Sequence, residues 1–215
     1  MFPRNQISLA ASALGILVAA APCARATEFL VPSVQHTTIQ SAINDCNDGD
    51  VVIVLDGIWT GPGNRDLDFS QNLPPGQTRA ITVRSQNGPL NCRIDCQGDE
   101  YNPHRAFHFH TAEASDSVVQ GFTIENGYAD AGGAILCDGS GPKIVNCVFV
   151  DNQASAGGAI ACINGAAPII SSCTIGPDNQ AWNGDAGGGG ISVASGSSPV
   201  ISHCVISAAE AHCTA

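Results

Sequence analysis

The chain has 215 residues, of which 44% are hydrophobic and 13% are charged, and its net charge is −11. The high hydrophobic and low charged content excludes a disordered chain. The acidic balance argues against nucleic acid or an anionic membrane surface as a partner, and against an acidic polysaccharide unless a divalent cation bridges the two.

The first 26 residues have the layout of a cleavable secretory signal. Arg4 precedes an apolar stretch from Ile7 to Ala21, which is followed by Ala24-Arg25-Ala26. The apolar stretch is shorter than the roughly 20 residues of a membrane-spanning helix, which favours a cleaved signal over a membrane anchor. We expect cleavage after Ala26. A membrane anchor and a lipoprotein acylated on Cys23 are the alternatives. Cleavage would leave one exported domain at 27–215, secreted or displayed at the cell surface.

The segment from Thr38 to Cys46 predicts a short amphipathic helix, because its apolar residues recur at helical spacing and Asn47-Asp48-Gly49 ends it. A strand from Val51 to Leu55 follows. We expect the helix to cap the N-terminal end of a β-structure and to protect its strand edges.

Short runs rich in β-branched residues continue along the chain, separated by polar turns. They predict strands at Ile81 to Val83, Cys92 to Cys96, Ala106 to His110 and Val118 to Ile124.

A repeat then organises the chain from Gly132 onward. Gly-Gly-Ala-Ile at 132–135 recurs at 157–160 and, as Gly-Gly-Gly-Ile, at 188–191, at spacings of 25 and 31 residues. The extra residues of the third unit fall in a loop-like stretch from Pro177 to Asp185. Runs such as Lys143 to Val150 are too short for periodic helices, so each unit predicts one coil of a parallel β-helix with two or three strands.

Stacking of such coils predicts ladders of identical side chains along the axis. The first ladder consists of Ile135, Ile160 and Ile191. The second consists of Cys147, Cys173 and Cys204. The third begins with Cys137 and Cys162 and continues with Val193. Valine in the third ladder favours a small apolar group at that position. Adjacent strands lie about 4.8 Å apart, so the sequence leaves buried thiols and disulfides both open.

Two groups of motifs carry a family resemblance. The segments 38–43 (TIQSAI), 49–54 (GDVVIV) and 57–59 (GIW) resemble the N-terminal cap and first coil of the pectin-lyase-like superfamily of right-handed parallel β-helices. The Gly-Gly-Ala-Ile units, with Phe149-Val150-Asp151-Asn152, are similar to the GGAI and FxxN repeats of polymorphic outer membrane proteins. The resemblance implies an all-β, right-handed parallel β-helix (solenoid) with a short N-terminal capping helix. It does not specify function, because the superfamily includes lyases, hydrolases, epimerases and non-catalytic adhesins.

Alternating Phe107-His108-Phe109-His110 places both histidines on the outward face of a strand, about 7 Å apart. His108 and His110 are therefore candidate metal ligands, with a third ligand from His104, Asp95 or Asp99. The alternative is two solvated histidines.

Asp95, Asp99 and Arg105 are candidate catalytic residues. They are similar to the calcium-binding carboxylates and the proton-abstracting arginine of pectate lyases. The flanking consensus of those lyases and the paired-Asp, Gly-His-Gly and Arg-x-Lys elements of polygalacturonase-like hydrolases are absent from the sequence. The alternative is a solvated acidic turn.

Trp182 lies in the inserted loop and is a candidate ligand-binding residue, since an exposed indole can stack on a sugar ring. The alternative is an indole that packs back over the edge of the coil.

We therefore expect one of two function classes. The first is a non-catalytic, secreted or surface β-helix with an adhesion or envelope-structural role that contacts polysaccharide or cell envelope and needs no cofactor. The second is a calcium-dependent, pectate-type polysaccharide lyase. The last predicted strand, Val200 to Ile206, is followed by nothing that resembles a cap. We expect either a truncated chain or end-to-end self-association through that coil.

Overall fold

The computed structural model describes residues 26–182 and 188–207. Residues 1–25 of the predicted secretory signal and the last eight residues lie outside them, so the expected cleavage and the expected end-to-end association stay predictions. The described residues form a nearly all-β parallel solenoid of five turns with one short helix near the N-terminal end. The predicted fold class is confirmed.

The elements of the solenoid are short, and none of the strands exceeds four residues. In chain order they are β1 (Glu28–Val31), α1 (Ile39–Asp45), β2 (Val51–Val54), β3 (Gly57–Trp59), β4 (Thr82–Ser85), β5 (Cys92–Asp95), β6 (Phe107–Phe109), β7 (Val118–Gln120), β8 (Thr123–Glu125), β9 (Tyr128–Ala131), β10 (Ile135–Asp138), β11 (Lys143–Val145), β12 (Val148–Val150), β13 (Gln153–Ala156), β14 (Ile160–Ile163), β15 (Ile169–Ser171), β16 (Thr174–Ile175), β17 (Gln180–Ala181), β18 (Ile191–Val193), β19 (Val200–Ser202) and β20 (Val205–Ile206). In the part of the chain that the structure describes, no helix has the length and apolarity to cross a membrane.

The strands stack into four parallel sheets along the axis. The seven-stranded sheet has the order β1-β2-β4-β7-β11-β15-β19, and the six-stranded sheet has the order β20-β16-β12-β8-β5-β3. The four-stranded sheet is β18-β14-β10-β6, and the three-stranded sheet is β17-β13-β9. A coil such as 128–150 therefore carries four strands instead of the predicted two or three. The reason is the corner at Asn146, whose φ of +51° turns the chain between β11 and β12 and splits the predicted strand in two.

The register between coils confirms the predicted ladders. Ile135, Ile160 and Ile191 are Cα partners in the four-stranded sheet, and Phe107 extends their ladder toward the N-terminal end. Cys137 pairs with Cys162, which in turn pairs with Val193. All eight cysteines of the described residues are free thiols, and seven of them are buried. The cysteines therefore pack as small apolar side chains in the core.

The Gly-Gly pairs of the repeat have a direct steric cause. Gly157 has a φ of +65°, which L side chains rarely adopt. A Cβ on Gly158 would overlap the carbonyl oxygen of Gly189 in the next coil. The pair thus lets the backbone turn and lets successive coils approach each other closely.

Helix α1 begins and ends where the sequence predicts. The Thr38 hydroxyl accepts a hydrogen bond of 3.2 Å from the backbone N–H of Ser41, which caps the first turn, and Cys46 is the C-cap. Ile39 and Ile43 are fully buried against the core. The helix packs on β1 and β2 and so covers the N-terminal end of the solenoid.

Two adjacent isoleucines in β15 test which side chains of the strand face the core and which face outward. Ile170 is fully buried in the core, whereas Ile169 is only partly buried. We expect Ile170→Ala to lower the free energy of unfolding by about 2–5 kcal/mol, because it leaves a cavity in the core. Ile169→Ala should lower it by less than about 1 kcal/mol. Urea unfolding of both variants measures the difference, and equal losses would contradict the assignment of faces.

Candidate functional site

A polar cleft of about 320 Å³ lies beside β6, at the edge where the four-stranded and three-stranded sheets adjoin. Its walls come from three successive coils and combine carboxylate, imidazole and guanidinium groups. The lining residues are Asp66, Asp68, Gln71, Pro103, His104, Arg105, His108, Ala129 and Asp130.

The first wall of the cleft is formed by the two residues that flank a buried leucine. Leu67 is 1% exposed and forms a parallel bridge with Phe107 of the next coil. Because neighbouring side chains in an extended segment point to opposite faces, Asp66 and Asp68 face outward on either side of Leu67. Asp68 therefore lies beside the outward His108.

Asp66 joins the cleft's first two coils through both of its oxygens. Its Oδ2 lies 2.6 Å from Nδ1 of His104, and its Oδ1 accepts a hydrogen bond of 3.1 Å from the backbone N–H of Arg105. Asp68 is engaged in the same way: Oδ1 accepts from the backbone N–H of Ser70 at 2.7 Å, and Oδ2 lies 3.3 Å from Nε2 of His110. Both carboxylates are thus oriented by the protein itself.

Among the residues that the structure describes, two buried side-chain nitrogen atoms of the cleft have no hydrogen-bond partner, namely Nη1 of Arg105 and Nε2 of His108. Burial lowers the pKa of His108 to about 4, and the nearby charge of Arg105 adds to this effect. Burial also lowers the pKa of Arg105, against the opposing effect of Asp66 and Asp130. Unsatisfied buried polar groups are rare in native proteins, and functional sites are where they concentrate.

A second cleft of about 460 Å³ continues the first toward α1. The two share Asp66, Gln71 and His104, so they form one groove. We call this the polar groove. The residues that only the second cleft contributes are Thr38, Gln40, Ser41, Asn44, Pro62, Gly63 and Arg65.

An aromatic pair lies beyond the other end of the polar groove. The rings of Tyr128 and Trp182 stack with centroids 4.6 Å apart and an interplanar angle of 23°. Both side chains are half-buried. Tyr128 alternates with Asp130 along β9, so the aromatic pair shares its face with a residue that lines the polar groove.

Trp182 therefore has a definite position that the sequence could not specify. It follows β17, and its backbone N–H donates to the carbonyl oxygen of Ala154 at 3.1 Å. Its indole stacks on Tyr128 of an earlier coil. Its role as a ligand-binding residue stays a prediction.

The two predicted metal ligands lie next to each other, with the rings of His108 and His110 4.5 Å apart. The third ligand expected from His104, Asp95 or Asp99 does not complete a site, since no three His, Cys, Asp or Glu side chains of residues 26–182 and 188–207 converge as a metal-binding group. The metal assignment stays a prediction.

Of the predicted catalytic residues, only Arg105 lines the polar groove. Asp95 bonds to Asn126, at 2.9 Å, and Asp99 accepts hydrogen bonds from the backbone of its own turn, 2.7 Å from the nitrogen of Tyr101. The carboxylates that accompany Arg105 are instead Asp66, Asp68 and Asp130. Sequence reasoning missed them, although the polar-apolar-polar pattern at 66–68 is the signal that could have identified the first two.

Comparison with known proteins gives one match. A family model described as "Right handed beta helix region" matches residues 56–207. No curated protein and no solved structure matches the chain. The match covers the residues of the polar groove from Pro62 onward together with the aromatic pair.

The lowered pKa of His108 has a consequence for stability. In the unfolded chain an imidazole titrates near 6.5, so between pH 6.5 and about 4 the unfolded state binds more protons than the folded state. The folded state therefore loses stability as the pH falls through this window. We expect a loss on the order of 1 kcal/mol after allowing for solvent screening of the half-buried ring.

His108→Gln removes the titrating group and serves as the reference for this prediction. The difference in free energy of unfolding between parent and variant should shrink or reverse in sign as the pH is lowered from 7 to 4, as measured by urea unfolding at each pH. A difference that does not change with pH would contradict a lowered pKa at His108.

Proposed function

We propose, from the premise that the chain belongs to the right-handed β-helix family, that it is an exported, non-catalytic carbohydrate-binding protein. In this proposal it acts at the cell surface or after secretion, in adhesion or in the structure of the cell envelope. Its ligand lies along the axis of the solenoid, across successive coils. The binding surface consists of the polar groove and the aromatic pair.

The observation that carries the proposal is the stacked pair of Tyr128 and Trp182 on the same face as the end of the polar groove. Aromatic rings present an apolar face, which suits the apolar face of a sugar ring, while polar groups beside them fix its hydroxyls. A deep apolar pocket would have favoured a small hydrophobic ligand instead. An aromatic platform beside an open polar groove favours a saccharide chain.

The extent of the surface supports an oligosaccharide more than a single sugar. Asp66 and Trp182 lie four coil steps apart, which corresponds to about 19 Å at roughly 4.8 Å per coil. Polar side chains of α1 extend the surface further at the other end. A chain of several sugar units lying along the axis would cover this length.

The engagement of the carboxylates supports binding more than catalysis. Asp66 and Asp68 each have both oxygens bonded within the protein, so neither has an oxygen that is held free for a proton transfer to a ligand. Groups held in this way orient their neighbours. Asp66 thereby holds the ring of His104 and the backbone at Arg105 in place beside the groove.

Removal of the indole tests this proposal. Trp182→Ala should weaken saccharide binding about tenfold, because an aromatic contact contributes roughly 1 kcal/mol beyond the area it buries. Trp182→Phe should retain most of the affinity. Affinity electrophoresis of the full chain in gels containing a neutral β-glucan, polygalacturonate or a glucosamine polymer measures it. Retardation in none of the three gels, or retardation unchanged in Trp182→Ala, would overturn the proposal.

A second candidate is a calcium-dependent lyase of pectate type. The specific observation in its favour is that three carboxylates, of Asp66, Asp68 and Asp130, line the same cleft as Arg105. An arginine whose pKa burial lowers is a better proton acceptor than a solvated one, which suits abstraction of a proton next to a uronate carboxyl. Calcium would have to screen the acidic chain from its acidic substrate.

Incubation with polygalacturonate and calcium decides on this candidate. A lyase produces an unsaturated product that absorbs in the ultraviolet, and Arg105→Lys should abolish that product. The lyase proposal fails if no absorbance develops and if calcium leaves the melting temperature of the protein unchanged.

A further inference from the structure

Acidic residues of β9 and of the turn at 99–100 lie close to Tyr128 of the aromatic pair. Asp130 is exposed and lies two residues after Tyr128 on the same face of β9. The turn that carries Asp99 and Glu100 runs directly against Tyr128: the backbone N–H of Tyr128 donates to the carbonyl oxygen of His104 at 2.8 Å, at the end of that turn. The carboxylates of Asp99, Glu100 and Asp130 therefore lie near enough to one ring of the pair to act on it electrostatically.

The pKa of the Tyr128 hydroxyl agrees with an acidic environment. Burial raises the pKa of Tyr128 above its ordinary value, and the negative charges of Glu100, Asp130 and Asp99 raise it further. The charges that act on this ring are all acidic. The basic side chains of the first cleft are engaged with carboxylates: His104 lies 2.6 Å from Asp66, and Arg105 is affected by the charges of Asp66 and Asp130.

Aromatic faces beside carboxylates attract cations. The negative face of a ring and a nearby carboxylate act in the same direction on a positive group, and the net charge of −11 adds a field of the same sign. A uronic acid at this position would meet repulsion from three carboxylates. A neutral sugar would gain the stacking contact but nothing from the charges.

We infer that the aromatic pair of Tyr128 and Trp182, with Asp99, Glu100 and Asp130, binds a protonated amine, so that the ligand is an amino-sugar polymer with free amines, such as a deacetylated glucosamine chain. This inference rests on the proposed carbohydrate-binding function and specifies its ligand class. The amine lies over the rings and the sugar chain continues into the polar groove, where Asp66 and Asp68 add further negative charge.

The test compares two oligomers that differ only in acetylation, with an oligogalacturonate of the same length titrated as the third ligand. Calorimetric titration of the full chain at mildly acidic pH should give tighter binding of a short glucosamine oligomer than of its N-acetylated counterpart by at least about tenfold, since each 1.4 kcal/mol is a factor of ten. Raising the salt concentration should weaken binding of the glucosamine oligomer, because salt screens exposed charges.

Asp130→Asn removes one charge and keeps the shape of the side chain. The Asp130 carboxylate accepts no hydrogen bond within the described residues, so the variant should fold normally, as its melting temperature would verify. It should weaken binding of the glucosamine oligomer about tenfold and leave binding of the N-acetylated oligomer unchanged. Asp116→Asn, at an exposed position outside the groove, is the matched control and should change neither affinity.

The possible outcomes distinguish amine binding from carbohydrate binding in general. Equal affinity for both oligomers, unaffected by Asp130→Asn, overturns the amine inference and leaves carbohydrate binding intact. Preferential binding of oligogalacturonate overturns the inference as well and favours the lyase candidate. Failure of all three oligomers to bind overturns the inference together with the proposed function.

Discussion

Each coil of this solenoid is held to the next by parallel backbone hydrogen bonds, and their register determines where the side chains of the coil lie. In the four-stranded sheet, Phe107, Ile135 and Ile160 are successive partners on the inward face. A slip of one residue would exchange the inward and outward faces of the strand. Two features oppose such a slip: the close approach of Gly158 to the next coil, and the fully buried side chains of Asn152 and Asn179, whose amides hydrogen-bond at 3.0 Å.

The candidate site follows from this register. Residues far apart in the chain become neighbours on the outward face, as Asp66 and His104 do across 38 positions. Side chains on the outward face do not pack in the core, so they can be polar or charged. The polar groove lies where the coil at 60–80 departs from the regular repeat and leaves space beside β6. A regular scaffold thus positions an irregular site.

The scaffold could be predicted from the sequence because its signals are local and repeated. The ladder of Ile135, Ile160 and Ile191 and the helix at Ile39–Asp45 correspond to spacings that are visible in the chain. The corner at Asn146 was missed, since a positive φ at a non-glycine residue leaves no mark on hydrophobic periodicity.

The candidate site could be predicted only in part. His108 and Arg105 were identified from their residue types, but the carboxylates beside them lie in the irregular coil, where no repeat gives the register. Asp95 and Asp99 were chosen because they are close to Arg105 in sequence, and the fold places other carboxylates in the groove. The contact of Tyr128 with Trp182 depends on how an indole reaches across a coil, which sequence alone does not specify.

The register is the claim on which the core, the groove and the aromatic pair all depend, and methyl NMR measures it directly. In protein labelled at isoleucine methyl groups, nuclear Overhauser effects should connect Ile135 with Ile160 and Ile160 with Ile191, because stacked strands lie about 4.8 Å apart. Ile160 and the outward Ile169 should show none. Absence of the ladder contacts, or contacts between Ile160 and Ile169 in their place, would contradict the stacking of coils described above.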